Sequence, residues 1–207
     1  TPVGAGIRGS LYHSHSFDAQ ATRTPGWKIV MPSTPRDAYG LLLSAIADPN
    51  PVMFLMPKAL LRMKGAPGEI PGEPEDERSL NQMIDAPLGD RTAWKPTWPA
   101  LEDLFIPIGK ARVAREGTDV TVLTYGRNVP MALAAAEELA GEGVSAEIVD
   151  LRSLHPYDWD AIVESVRKTN RVLCVNEDTE ITNFGEHLIR RIVEELFYEL
   201  HAPPRLL

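Results

Sequence analysis

Apolar and polar positions along this chain fall into blocks whose period changes. Lys28-Ile29-Val30-Met31 is a short apolar run closed by Pro32, and Val52-Met53-Phe54-Leu55-Met56 is apolar throughout, as expected of a buried parallel strand. Between them Thr34 sits as a helix N-cap, Pro35 suits the first helical position and Asp37 stands where a capping-box acid belongs. That predicts a helix running to about Ala47 and stopped by Asp48-Pro49-Asn50-Pro51, so the first block reads as a β-α-β unit. From residue 106 onward strands and helices alternate, with strands expected over 119–125, 146–151 and 171–175. Val129, Leu133, Ala136, Leu139 and Ala140 share one helix face, and Gly141-Glu142-Gly143 offers a left-handed stop. Trp159, Ile162, Val163 and Val166 mark a second helix face. Leu188, Ile189, Ile192, Val193, Leu196, Phe197 and Leu200 form a wide apolar stripe on a third. The alternation predicts an α/β fold with a mainly parallel sheet and right-handed crossovers. No internal repeat is visible.

The stretch between the blocks is different. Residues 62–105 contain Pro67, Pro71, Pro74, Pro87, Pro96 and Pro99 and the acidic run Glu73-Pro74-Glu75-Asp76-Glu77. It is too long for an ordinary loop inside a compact domain. Trp94, Trp98, Leu101, Leu104 and Phe105 predict that its far end packs down, making it an ordered excursion over a surface. The chain therefore divides into 1–61, a connector over 62–105, and 106–207.

Composition narrows the classes. With 43% hydrophobic and 24% charged residues, disordered, collagenous and fibrous chains are excluded. The single cysteine, Cys174, excludes a disulfide framework and a cysteine-based zinc cluster, and as part of an apolar strand it reads as inert core. No run of about eighteen apolar residues is present to span a membrane. The net charge of −8 over scattered bases leaves no footprint for a nucleic-acid backbone. The chain opens at Thr1-Pro2-Val3-Gly4 without an initiator Met or a signal-peptide pattern, and it reads as part of something longer.

Few residues offer chemistry. His13 and His15 stand two apart, so in an extended segment both imidazoles project to one side. Such a pair can begin a metal site, act as general acid and base, or simply hydrogen-bond to loop backbone. A metal site needs a further ligand, which no HExxH or paired-cysteine pattern supplies. Gly4, Gly6 and Gly9 have G-x-G-x-x-G spacing, yet no strand precedes them and Leu11-Tyr12-His13 does not read as a helix. These glycines fit close approach of backbone to a ligand or a neighbouring chain. Asp48 and Asn50 bring oxygens to a helix end, as in a cation site or a plain helix stop. Glu177, Asp178 and Glu180 follow a strand, where α/β sheets bind ligands and where solvated acidic loops are also common.

Two long motifs then identify a family. Arg8-Gly9-Ser10-Leu11-Tyr12-His13-Ser14-His15-Ser16 and Thr24-Pro25-Gly26-Trp27-Lys28-Ile29-Val30-Met31-Pro32-Ser33-Thr34-Pro35 resemble the β subunit of thiamine diphosphate-dependent 2-oxo acid dehydrogenases, of pyruvate or branched-chain type. The likeness continues through Ala45-Ile46-Ala47-Asp48-Pro49-Asn50-Pro51, Ile106-Pro107-Ile108-Gly109-Lys110-Ala111 and Ala146-Glu147-Ile148-Val149-Asp150-Leu151-Arg152-Ser153-Leu154.

The resemblance implies that 1–61 is the end of a transketolase-type pyrimidine-binding domain and 106–207 a transketolase-type C-terminal domain. It also implies a heterotetramer with an α subunit and a second β subunit, serving a lipoyl acyltransferase core. Thiamine diphosphate with magnesium would be held with the α chain, and potassium by Ala45, Ile46, Asp48 and Asn50. The family's active-site histidine falls on His13, with a role in proton transfer during acylation of the lipoyl group. The glutamate that activates the cofactor lies upstream in the family, position 56 is Met where relatives carry an acid, and the family's C-terminal tail follows the position of Leu207. A chain with these departures is expected to bind no cofactor and to have no turnover by itself. The expected compartment is the cytoplasm, or the mitochondrial matrix in a eukaryote. A C-terminal part of a transketolase or deoxyxylulose-phosphate synthase, a non-catalytic assembly module, and a metal hydrolase built on His13 and His15 are the alternatives.

Overall fold

In the computed structural model, residues 1–5, 9–10, 14–65, 75–85 and 101–207 are described. The first block folds as its pattern predicts. Strand β2 (Lys28–Val30) leads into helix α2 (Pro35–Ala47), whose N-cap Thr34 accepts a hydrogen bond from the Asp37 backbone N–H. The chain returns through β3 (Val52–Phe54), parallel to β2. The short strands β1 (Pro2–Val3) and β4 (Met56–Pro57) pair in parallel beside it, and a five-residue helix α1 (Asp18–Thr22) precedes β2. The apolar run over 52–56 is less buried than expected. β3 lies at the edge of its sheet, so Val52, Met53 and Phe54 are half-buried and Met56 is exposed.

The third block forms a five-stranded sheet in the order β10-β9-β6-β7-β5. Its strands are β5 (Arg112–Arg115), β6 (Val120–Thr124), β7 (Ala146–Asp150), β9 (Val172–Cys174) and β10 (Arg205–Leu206). All pairings are parallel except β5 with β7. Side chains alternate across β6. Val122 packs with Ala136 of α4 (Asn128–Gly141) on one face. Leu123 joins Ile162 and Val166 of α5 (Trp159–Thr169) and Leu188 and Ile192 of α6 (Phe184–Leu196) on the other. The stripe predicted through Leu200 is wider than the buried face: α6 ends at Leu196, and Phe197 is exposed in a following 3-10 turn.

One further strand joins the two blocks. β8 (Ser153–His155) leaves the third block and pairs antiparallel with β2, so the second sheet runs β3-β2-β8. Behind that junction lies a buried charge network. Arg152 Nη1 donates to Asp37 Oδ1 at 3.0 Å and its Nη2 to the Ala111 carbonyl at 3.0 Å. Arg112 Nη2 lies 3.2 Å from Asp150 Oδ2 and 3.4 Å from Asp37 Oδ2, and Ser33 Oγ donates to Asp150. Burial pushes the Asp150 carboxyl up to about 6, with Ser33 and the two guanidinium groups opposing it and Asp37 reinforcing it.

Of the connector, helix α3 (Glu77–Asp85) and the 3-10 turn Leu101–Leu104 are described. Its far end packs down as expected, with Leu104 buried and its carbonyl accepting from Arg36 Nη1 at 2.8 Å. Trp94 and Trp98 lie outside the described residues. No helix among the described residues is long and apolar enough to cross a membrane.

Candidate active site

Strand order reverses at β6: the chain passes from β6 to its neighbour β7 and then back across to β9 on the other side. The loops leaving the carboxyl ends of β6 and β9 therefore flank a topological switch point, the usual position of a ligand crevice in such sheets. Here they grip the histidine-bearing N-terminal segment. Arg127 Nη1, after β6, pairs with Glu177 Oε1, after β9, at 2.8 Å. The same oxygen accepts from the Ala5 N–H at 3.0 Å. Gly4 donates its N–H to the His15 carbonyl at 3.1 Å. It does so at φ +79°, where a Cβ would also come within 2.6 Å of Glu177 Oε2, so the position requires glycine.

His15 is oriented from both sides. Its Nδ1 accepts from the Phe17 N–H at 3.0 Å, which places the proton of the neutral ring on Nε2. Nε2 faces Asp178 Oδ1 at 4.0 Å, and the ring lies against Phe17 with centroids 4.4 Å apart. Phe17 itself is left-handed at φ +63°, a conformation that a bulky residue adopts only when its surroundings enforce it. Next along the chain, Asp18 is fully buried. Tyr125 donates its hydroxyl to Asp18 Oδ2, the Ala19 N–H donates to Asp18 Oδ1 at 2.8 Å, and the Asp178 carboxyl is its third partner. Asp178 also accepts from the Ala19 N–H at 3.3 Å and the Thr179 N–H at 2.8 Å.

Burial, reinforced by Asp178, pushes the Asp18 carboxyl up to about 7 against the donation from Tyr125. Burial acts on Asp178 in the same direction, yet the hydrogen bonds from Asp18, Thr179 and Ala19 hold it below the ordinary value. Glu177 and Asp178 are thus engaged groups that hold backbone, and not a solvated acidic loop. Asp18, Tyr125 and Arg127 were absent from the sequence-derived candidates. The only local signals for them were an acid at a helix start and polar residues just past a strand.

His13, Gly6 and the Leu11-Tyr12-His13 stretch lie outside the described residues. Among the described residues no three His, Cys, Asp or Glu side chains cluster as metal ligands. Cys174 is buried, and burial pushes its thiol up to about 12, as suits a core residue.

The second candidate site, at the end of α2, is built from backbone. The last carbonyls of a helix need outside donors. Pro49 and Pro51 have no N–H to offer Ala45 and Ala47, and the Asn50 N–H, which could serve Ile46, donates to Asp48 Oδ1 at 2.9 Å. The Asp48 carboxylate is engaged by Lys28 and by Asn50, which together hold it down to about 2. Asp48 and Asn50 are thus bonded to each other at this helix end, with Lys28 on the carboxylate.

Comparison with known proteins bears on the family. Residues 1–64 match the transketolase pyrimidine-binding domain and residues 109–207 the transketolase C-terminal domain. Over 98% of its length the chain is 41% identical to 2-oxoisovalerate dehydrogenase subunit beta of Bacillus subtilis (strain 168), covering 52% of that protein. It is 36% identical, again over 98% of its length, to pyruvate dehydrogenase E1 component subunit beta of Rhizobium meliloti (strain 1021), covering 37% of it. The chain is built of transketolase pyrimidine-binding and C-terminal domain sequence and is similar throughout to 2-oxo acid dehydrogenase β subunits. It spans about half the length, or less, of these curated relatives. Its fold is shared with a solved chain titled split gene transketolase, inactive beta4 tetramer, at a TM-score of 0.63 and 23% identity, over 94% of this chain and 52% of that one.

Proposed function

We propose that this chain is the part of a 2-oxo acid dehydrogenase β subunit that presents the active-site histidine segment to a cofactor held by a partner α chain. The single observation that carries this reading is the clamp on the segment around His15. Gly4, Glu177, Asp178 and Arg127 fix a histidine-bearing backbone at the switch point of the sheet, as a fixed acid-base group requires. Identity of 36–41% to both pyruvate and 2-oxoisovalerate dehydrogenase β subunits supports the reaction class.

The described residues supply imidazole and carboxyl groups. In this reading they form a half-site whose diphosphate lies on the other chain. Thiamine diphosphate, when bound there, supplies the carbanion chemistry that cleaves carbon dioxide from a 2-oxo acid. The contribution of this chain is positional. His13 holds or delivers the proton exchanged as the acyl group passes to a lipoyl arm. The α2 terminus would hold potassium through the carbonyls of Ala45 and Ile46 with Asp48 and Asn50, stiffening the helix end. A second β subunit and a lipoyl acyltransferase core complete the assembly, and the isolated 207-residue chain is inactive.

The test is co-expression with an α-type chain, followed by assay with pyruvate and with 3-methyl-2-oxobutanoate. The pair should turn over one of these, and His13→Gln in the pair should lower kcat by about 10²- to 10⁴-fold with little change in KM. Unchanged kcat would remove His13 from the chemistry, and decarboxylation by the isolated chain would overturn the half-site reading. Exchanging potassium for choline should lower the Tm by a few degrees, and an unchanged Tm would remove the ion from the α2 terminus.

A further inference from the structure

The buried acids beside His15 are also in contact with each other, which the function above does not use. Asp18 is fully buried and the Asp178 side chain is 3% exposed. Among the described residues neither carboxyl has a Lys or Arg within ion-pairing distance, and the nearest cationic candidate is His15 at 4.0 Å. Two carboxyls in hydrogen-bond contact away from solvent cannot both be charged, because their repulsion is barely screened there; one proton between them turns that repulsion into a bond. The pair bridges distant parts of the chain. Asp18 opens α1, directly after the left-handed Phe17, while Asp178 belongs to the loop between β9 and α6. Ala19 donates its single N–H to both acids, so it reports the closed arrangement.

We propose that Asp18 and Asp178 form a one-proton latch that fastens the His15-bearing segment to the β9–α6 loop and lets it go when the shared proton leaves. The functional consequence rests on reading that segment as part of the active site; the latch itself is a property of this chain alone. Three features work together. Tyr125 donates to Asp18 Oδ2 from the end of β6 and anchors that carboxyl where it meets Asp178. Phe17, directly before Asp18, is held at φ +63°, and this strain works against the closed arrangement once the bond is lost. His15, bonded to the Phe17 N–H through Nδ1, then moves with the segment.

The surroundings set the sign. Facing Asp18 are Asp178 from the β9–α6 loop and Tyr125 from the end of β6, and His15 from the preceding segment faces Asp178. Cys174 of β9 lies by Tyr125, and the Arg127–Glu177 pair neutralises itself next to them. On the far side of α1 a cleft of about 680 Å³ carries Arg23, His155, Glu186, His187 and Arg190, and Lys28 of β2 is committed to Asp48. The Asp18 carboxyl, raised by burial to about 7, therefore contributes stability that is complete below the ordinary carboxylate range. That contribution is lost as pH rises through about 7, so the latch loosens across neutrality.

Amide hydrogen exchange on the full chain as expressed tests this without partner or turnover. Protection factors at Ala19 and Gly4, corrected for intrinsic rates, should fall about 10-fold between roughly pH 6 and 8.5 in the wild type. In Asp18→Asn a permanent amide donor replaces the proton, and the same amides should show no such slope. Constant protection in the wild type, or an equal slope in the variant, overturns the latch and leaves the proposed function untouched. If Asp18→Asn does not fold by circular dichroism, Tyr125→Phe serves instead. Removing the Tyr125 donor should move the exchange midpoint to higher pH, and an unmoved midpoint overturns the proposal.

Discussion

Replacing Arg152 by methionine keeps most of the side-chain volume and deletes the charge at the junction of the two blocks. Arg152 is 12% exposed and Asp37 4% exposed, so little solvent screening applies to their pairing. In the variant Asp37 keeps Arg112 at 3.4 Å, the Ser33 and Thr34 hydroxyls, and the N-cap, while the Ala111 carbonyl loses its guanidinium donor. Removing one partner of a buried ion pair typically costs about 3–5 kcal/mol, and the surviving Arg112 contact places Arg152→Met near the lower end, about 3 kcal/mol. Urea denaturation followed by circular dichroism at pH 7.5 measures it. A double-mutant cycle with Asp37→Asn should return about 2 kcal/mol of coupling.

The pH dependence of this loss has a definite sign. Without the guanidinium, the folded-state pKa of Asp150 rises further; a raised carboxyl keeps its stabilising contribution at low pH and loses it as pH rises. The gap between variant and wild type should therefore narrow from pH 7.5 to 5.5, across the window in which Asp150, near 6 in the wild type, begins to take up its proton. A gap below about 1 kcal/mol at pH 7.5 would refute the reasoning, because it would mean that the network is solvated and carries no buried charge.

Three further outcomes follow from single positions. Gly4→Ala must adopt φ +79° and displace the Glu177 carboxylate, so it should lower stability by about 2 kcal/mol in thermal or urea unfolding and speed exchange at Ala5. Thr121→Val removes a buried hydroxyl that bonds Ser165 Oγ and Thr169 Oγ1, each at 2.7 Å, and should cost about 1–2 kcal/mol by urea denaturation; a neutral result would show that the two remaining hydroxyls re-pair. Cys174, buried and with its thiol pushed up to about 12, should resist a thiol-disulfide reagent at pH 8 and react stoichiometrically in denaturant.

What could be read beforehand was local. Thr34, Pro35 and Asp37 announce α2 because a capping box acts within one turn, and β6, β7 and β9 announce themselves by apolar runs that two packed faces require. β5, β8 and β10 carry no such signature. They are two to four residues long, and each becomes a strand only because a neighbour offers its edge. The candidate site divides in the same way. His13 and His15 stood out by spacing, Asp48 and Asn50 by their oxygens at a helix end, and Ala45 and Ile46 by family resemblance. The Asp18–Asp178 pair and the Arg127–Glu177 clasp did not stand out, because each joins residues from different blocks or different strand ends and has no short-range pattern.

The antiparallel strand β8 has a mechanical consequence. Because it is stitched into the first block's sheet by Ile29↔His155 and Val30↔Ser153, the two blocks cannot hinge or slide without breaking main-chain bonds. Any opening and closing must then come from segments lying on this shared frame, such as the stretch around His15, while the frame itself stays rigid.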